Sequence, residues 1–186
     1  MLSPKLASRY AKSLMDLSIS LGKESEVVKD MQLLKETIAN SRDLQMLFKS
    51  PIINADKKNG VVGQIFKGKL SETSSKFVQL LINKGREENL AEIVDAYIHQ
   101  YNTNHQIVHA TLTTAVAVDT KTVEKIKALI LEDKNIKEVR LATKINPSIV
   151  GGFILQYDDK KLDNSVARKL HLIKQNIQDK TFISNL

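Results

Sequence analysis

The spacing of apolar residues changes once along the chain, near residue 105, and this change restricts the possible folds more than any other feature of the sequence. Before it, apolar residues recur every three or four positions, as on one face of an α-helix. After it, the alternate residues from Val108 to Val116 carry the pattern of a β-strand. We therefore expect two domains, residues 1–104 and residues 105–186.

The first half predicts six helical segments. The first spans residues 4–21, is opened by Ser3-Pro4, and carries one apolar stripe. That stripe consists of Leu6, Tyr10, Leu14, Leu17 and Leu21. The later segments end near Asn40, Ser50, Phe66, Gly85 and Asn104. Because each segment carries its own apolar stripe, we expect the first domain to be a helical bundle.

The second half predicts a small sheet. A strand begins at Ile107, and a helix capped by Asp119 or Thr120 follows it. Two more strands are expected around Val139 and from Phe153 to Tyr157, and Asp163 is expected to open a final helix. One face of that helix carries Val166, Leu170, Ile173 and Ile177. The order β-α-β-β-α predicts helices packed against a sheet. Taken with the helical first half, the predicted fold class of the whole chain is mainly α, a helical bundle followed by a small α/β domain.

Residues with catalytic or ligand-binding chemistry are scattered in this sequence. There is no cysteine, the four histidines have no metal-ligand spacing, and no glycine-rich phosphate loop is present. Asp158, Asp159 and Asp163 have the pattern of solvated turn residues rather than of paired catalytic carboxylates. The sequence therefore predicts no catalytic, cofactor-binding or metal-binding residue.

The net charge of +7 and the pI of about 9.5 raise the question of nucleic-acid binding. Residues 1–104 contain 15 basic and 12 acidic groups, and residues 105–186 contain 13 and 9. Nucleic-acid surfaces normally concentrate their basic residues in a stripe or patch, whereas this excess is spread over both halves. An RNA-binding helical protein remains the alternative function, and an enzyme without a recognised motif is a third.

Four short segments occur in an order that is similar to that of a known family. They are Ala7-Ser8-Arg9-Tyr10-Ala11-Lys12-Ser13-Leu14, Ser50-Pro51-Ile52-Ile53, Leu81-Ile82-Asn83-Lys84-Gly85-Arg86-Glu87 and Pro147-Ser148-Ile149-Val150-Gly151-Gly152-Phe153. Together with Asp163-Asn164-Ser165-Val166, this set resembles the delta subunits of F-type ATP synthase, whose mitochondrial counterpart is the oligomycin-sensitivity-conferring protein. The resemblance covers nearly the whole chain.

The resemblance implies a non-catalytic stator subunit with a six-helix N-terminal bundle and a small α/β domain. The bundle would hold the N-terminal helix of an alpha subunit of the catalytic head. The second domain would contact the b subunits of the peripheral stalk. Such a subunit prevents the head from turning with the rotor, and no cofactor or nucleic acid is implied.

The resemblance places the alpha-subunit helix between the first and fifth helices. The candidate partner-binding residues are Leu6, Tyr10, Ala11, Leu14, Phe77, Leu80, Leu81 and Lys84. The first helix carries apolar residues over a wider arc than one neighbouring helix needs, and a partner helix would use the surplus. Periodicity alone also allows the other interpretation, in which these residues form the core of the bundle.

No apolar run approaches the roughly 20 residues that span a bilayer, and the most apolar one, from Ile149 to Leu155, is interrupted by two glycines. We therefore expect membrane association only through a complex. The sequence begins almost directly at the first predicted helix, without an Arg- and Ser-rich transit segment. This favours a bacterial protein over an organellar precursor, with a processed mature chain as the alternative. For a bacterial protein, the resemblance implies a peripheral location on the cytoplasmic face of the inner membrane.

Overall fold

In the computed structural model, which describes residues 4–131, 136–157 and 160–180, the chain forms two compact units. Unit 1 comprises residues 1–104 and unit 2 comprises residues 105–186. The protein is mainly helical, and a small four-stranded sheet lies in unit 2. The predicted capping residue Ser3 and the predicted turn residues Asp158 and Asp159 lie outside the described residues.

Unit 1 is built from helices that follow the apolar stripes of the sequence. Their bounds are α1 Pro4–Ser20, α2 Glu24–Asn40, α3 Arg42–Lys49, α4 Ala55–Ile65, α5 Glu72–Asn83 and α6 Leu90–Asn104. A short 3-10 turn, Glu87–Asn89, precedes α6. The first helix was predicted over residues 4–21, and the structure confirms it to within one residue.

The core of unit 1 forms where α1 and α2 pack against α6. Four helices each contribute at least one completely buried residue there, for example Ala11 of α1, Met31 of α2, Leu81 of α5 and Ile93 of α6. Apolar residues spaced three and four apart lie on one face of a helix, so each helix contributes one stripe to this common core.

Unit 2 contains a sheet with strand order β2-β1-β3-β4. The strands are β1 Ile107–Thr114, β2 Glu138–Ile145, β3 Phe153–Tyr157 and β4 Lys160–Asp163. β1 pairs parallel with β2 and antiparallel with β3, and β3 pairs antiparallel with β4. The helix α7, Thr120–Leu131, connects the two parallel strands.

The small core of unit 2 lies between one face of the sheet and α7. Ala110 and Leu112 of β1 and Leu155 of β3 contribute the sheet side, and Ile126 and Ile130 contribute the helix side. The register pairs Leu112 with Leu155 and Leu155 with Leu162, so these three leucines share one face of the sheet.

The prediction that Asp163 opens the final helix is wrong. Asp163 is the last residue of β4, a strand missing from the predicted order, and its partner in β3 is Ile154. The sequence Lys-Lys-Leu-Asp contains a single apolar residue, so no alternation reveals it, and pairing with β3 creates the strand. The last helix, α8, spans Val166–Lys180.

The helices of unit 2 were both expected to pack against the sheet, and this holds for α7 but not for the apolar face of α8. Leu170 and Ile173 on that face are 55% and 53% exposed. Within the described ranges, no helix is long and apolar enough to cross a membrane.

Candidate protein-docking groove

A groove with a volume of about 520 Å³ runs between α1 and α5 in unit 1. Most of its lining is apolar. The apolar lining residues are Tyr10, Leu14, Leu17, Leu21, Phe77 and Leu80. The polar lining residues are Ser13, Lys23, Glu72, Thr73 and Lys76. We call this feature the α1–α5 groove.

The floor and the walls of the α1–α5 groove differ in exposure. Leu14 and Phe77 form the floor and are only 1% and 9% exposed. Leu17, Leu21 and Leu80 stand at the walls and remain 46%, 51% and 46% exposed. A groove of this kind can bury further apolar side chains without any rearrangement of the helices that form it.

The N-terminus of α5 is held to α2 by Asp30. The Asp30 carboxylate accepts hydrogen bonds from the backbone N–H of Ser71, at 2.9 Å, and from the Ser71 hydroxyl, at 2.6 Å. The Ser71 Oγ in turn accepts a hydrogen bond from the N–H of Ser74, which caps the helix. These bonds set where α5 begins, and therefore where Phe77 and Leu80 stand.

The opposite wall, α1, is held to α6 by a buried hydroxyl pair. The Tyr97 hydroxyl donates to Ser18 Oγ at 3.1 Å, and the Ser18 hydroxyl donates to the carbonyl of Met15 at 2.8 Å. Tyr97 is completely buried, and burial raises the pKa of its phenol while the bond to Ser18 acts in the opposite direction. The pair therefore ties α1 to α6 on the side of α1 that is buried.

Charged residues line one end of the α1–α5 groove. Lys76 Nζ lies 2.6 Å from Glu72 Oε1 in an exposed ion pair. The hydrogen bond from Lys76 lowers the pKa of Glu72, and the positive charges of Lys76 and Lys23 act in the same direction. The groove therefore combines charged groups with a mainly apolar lining.

The structure brings together half of the eight residues predicted for this site. Tyr10, Leu14, Phe77 and Leu80 all line the groove. The other four, Leu6, Ala11, Leu81 and Lys84, do not line it.

Two of those four are corrected by their burial. Ala11 and Leu81 are 0% exposed because they pack into the bundle core, and they cannot contact a partner. Leu6 is partly buried against the same core, and Lys84 is exposed at the C-cap of α5. Periodicity identifies the helix face on which such residues lie, but it does not separate its core side from its groove side.

Leu17 and Leu21 line the groove although they were not among the predicted site residues. A signal for them was present, because both continue the stripe that contains Tyr10 and Leu14. The polar lining residues carried no such signal. They come from α1, from α5 and from the turn before α2, and the approach of these segments depends on the packing of the bundle.

The groove is suited to binding rather than to bond chemistry. In the part of the chain that the structure describes, no three His, Asp or Glu side chains form a group able to hold a metal ion. The polar groups of the groove are hydroxyls, two lysines and one glutamate, and none of them is arranged with a second group as an activated nucleophile. The arrangement favours an amphipathic helix as ligand.

Comparison with known proteins gives a consistent result. The family described as ATP synthase delta (OSCP) subunit matches residues 6–177. The ATP synthase subunit delta of Amoebophilus asiaticus is 33% identical over 92% of this chain and 93% of its own length. That of Christiangramia forsetii is 30% identical over 98% of both chains.

A solved structure supports the fold. A chain of the Toxoplasma gondii mitochondrial ATP synthase hexamer matches 97% of this chain and 99% of its own length. The TM-score is 0.71 and the sequence identity is 20%. At that identity, the likeness describes the path of the backbone.

Proposed function

The chain belongs to the ATP synthase delta (OSCP) subunit family, and on that premise we propose that its α1–α5 groove receives the N-terminal helix of an alpha subunit of the catalytic head. It is a non-catalytic stator subunit of F-type ATP synthase and part of the peripheral stalk. Its work is to hold other subunits, so that proton-driven rotation is coupled to ATP synthesis.

The proposal gives each unit one partner. Unit 1, as the six-helix bundle that the family resemblance implies, holds the head, and unit 2 holds the b subunits of the stalk. Linking the two sites in one chain raises the effective concentration of each partner for the other, so two modest contacts give a durable attachment. The protein is then peripheral, bound through the complex to the cytoplasmic face of a bacterial inner membrane.

The observation that carries the assignment of the groove is its set of half-exposed leucines above a buried floor. Leu17, Leu21 and Leu80 each keep about half of their surface in water. Burying the rest of each side chain under a partner helix contributes on the order of 1 kcal/mol. Charge screening has little effect on such contacts, so we expect the attachment to the head to tolerate salt.

A peptide corresponding to the N-terminal segment of the alpha subunit tests the proposal by isothermal titration against the full chain. Tyr10→Asp and Leu17→Asp should each weaken binding about 30-fold or more, because they place a charge where an apolar side chain must sit. Ile19→Asp is the matched control. Ile19 is 48% exposed on the same helix but does not line the groove, so its substitution should leave affinity unchanged.

The fold of each variant is checked first by circular dichroism, since Tyr10 also packs partly against the core. Folded Tyr10→Asp and Leu17→Asp variants that bind the peptide as the parent does would show that the groove is the wrong site. A titration with a single-stranded RNA in place of the peptide, at about 50 and 200 mM salt, addresses the RNA-binding alternative. Counterion release makes nucleic-acid affinity fall steeply over that range, whereas an apolar groove loses little.

A further inference from the structure

The helix α8 carries an apolar face that is largely exposed among the residues of unit 2 that the structure describes. Val166, Leu170 and Ile173 on this face are 38%, 55% and 53% exposed, and Ile177 continues it at 60%. Their spacing of four, three and four residues is that of the seam of a coiled coil. An isolated helix of 15 residues is only marginally stable in water, so packing along this seam would stabilise α8.

The first turn of α8 is held to the loop before β3 and, through Ser165, to the end of β4. The N–H of Val166 donates to the carbonyl of Gly151 at 3.0 Å, and Ser165 Oγ accepts from the N–H of Arg168 at 3.2 Å. The side chain of Asp163 accepts from the N–H of Ser165 at 3.0 Å. The helix therefore leaves the sheet in a set direction, which pre-organises the exposed seam for a partner.

The charges that flank the seam are of one sign. At 3.6 residues per turn, Lys169 lies about 70° to one side of the seam and Lys174 about 70° to the other. These are the positions that face a partner across a coiled coil. Residues 166–177 contain no acidic residue. A second copy of α8 would bring lysines against lysines, whereas a helix with acidic residues beside its apolar face would pair with them.

We propose that α8 is the helix on which the peripheral stalk docks, and that it packs there against an amphipathic stalk helix whose apolar seam is flanked by acidic residues. This inference rests on the proposed function of unit 2 as the stalk-binding unit. Beyond that function, it specifies the docking surface, the mode of helix packing and the charge of the partner.

The test measures, by titration, the affinity of the full chain for the soluble part of the stalk b subunit from the same organism. The double variant Leu170→Gln with Ile173→Gln should weaken binding at least tenfold. Leu172→Gln is the matched control, since Leu172 is 47% exposed on the same helix but lies about 130° around it from the seam. Because all three side chains are exposed, these changes leave the core of unit 2 intact.

A second control addresses the other apolar surface of unit 2. Leu129 is 63% exposed beside a cleft between α7 and the sheet. Leu129→Gln should leave binding of the b subunit unchanged. If Leu129→Gln weakens binding and the double variant of α8 does not, the stalk docks at the cleft and the inference is overturned.

The charge of the partner is tested with two synthetic helices that share one apolar seam and carry either Glu or Lys beside it. The Glu peptide should bind the parent, and the Lys peptide should not. Lys169→Glu with Lys174→Glu should reverse this preference. Equal binding of both peptides to the parent would overturn the assigned charge.

The remaining outcomes are also distinguishable. A parent that fails to bind the b subunit contradicts the proposed function itself. Binding of the b subunit that survives the Leu170 and Ile173 double change contradicts only the role of α8. Dimerisation of the parent in sedimentation, abolished by that double change, would assign the seam to a second copy of the chain and overturn the inference.

Discussion

Lys58 and Glu87 form a buried ion pair, with Lys58 Nζ 2.6 Å from Glu87 Oε1. Their side chains are only 2% and 13% exposed, and they lie 29 positions apart in the sequence. Lys58 Nζ also donates to the carbonyl of Ser50 at 2.6 Å. One ammonium group therefore joins the end of α3, the helix α4 and the turn before α6.

Removing one partner of this pair should destabilise unit 1 strongly. Lys58→Met leaves the Glu87 carboxylate buried without its counter-charge, and we expect a loss of about 3–5 kcal/mol in the free energy of unfolding. Urea denaturation followed by circular dichroism measures it. The double variant Lys58→Met with Glu87→Leu should recover most of the loss, because it removes both buried charges.

The exposed pair Lys35–Asp95 serves as the control, since both of its side chains are 57% exposed at an N–O distance of 2.8 Å. Lys35→Ala should change stability by less than about 1 kcal/mol. If Lys58→Met costs no more than Lys35→Ala, the buried pair is not what fixes the junction of α3, α4 and α6.

Gly152 should tolerate no side chain. Its φ is +77°, and a Cβ placed there would collide with the backbone carbonyl oxygen of Asn164. We expect Gly152→Ala to destabilise unit 2 by about 2–5 kcal/mol, from the left-handed backbone and the collision together. Differential scanning calorimetry measures the loss.

The neighbouring Gly151 is the matched control for that substitution. A Cβ on Gly151 meets only the side chain of Val166, at 3.2 Å, and Val166 is partly exposed and can shift. A Gly151→Ala variant as unstable as Gly152→Ala would mean that the region tolerates no added atom, and that the backbone contact at Asn164 is not the cause.

The free energy of unfolding should decrease at alkaline pH because the buried Tyr97 phenol ionises. Burial raises the pKa of its phenol above the ordinary 10.0, so the folded protein favours the neutral form more than the unfolded chain does. The contribution of the neutral Tyr97 phenol to the free energy of unfolding is complete below about pH 10. It is lost as the pH rises through the pKa that Tyr97 has in the folded protein. Urea titrations from about pH 8 to 11 measure this loss.

The comparison variant is Tyr97→Phe, which lacks the titrating group. At about pH 8 it should be about 1 kcal/mol less stable, because Ser18 loses its donor. Its stability should then fall less steeply toward pH 11 than that of the parent. Parallel curves for the two proteins would show that ionisation of Tyr97 does not contribute.

Residues 1–104 should fold alone as an all-helical domain. Every apolar stripe in this half has partners within it, and the apolar period changes only afterwards. A chain ending at Asn104 should show a helical circular dichroism spectrum and one cooperative thermal transition. A gradual, non-cooperative loss of signal would contradict the predicted boundary.

Much of the fold could be predicted because its signals are local. The stripe from Leu6 to Leu21 predicts α1, and the structure confirms that helix. The change of period near residue 105 predicts a strand, and β1 begins at Ile107. These features follow from the geometry of the backbone, which places residues three or four apart on one face of a helix and alternate residues on one face of a strand.

Burial and exposure were decided by the tertiary structure. Ala11 and Leu17 lie on the same predicted helix, yet Ala11 is 0% exposed and Leu17 is 46% exposed. The burial of Lys58 beside Glu87 and the pairing of β4 with β3 likewise join segments that local pattern does not connect. The sequence determined which residues share a face, because that depends on neighbours along the chain. Only the packing of distant segments decided which part of each face is covered, because a side chain loses contact with water only where another element lies against it.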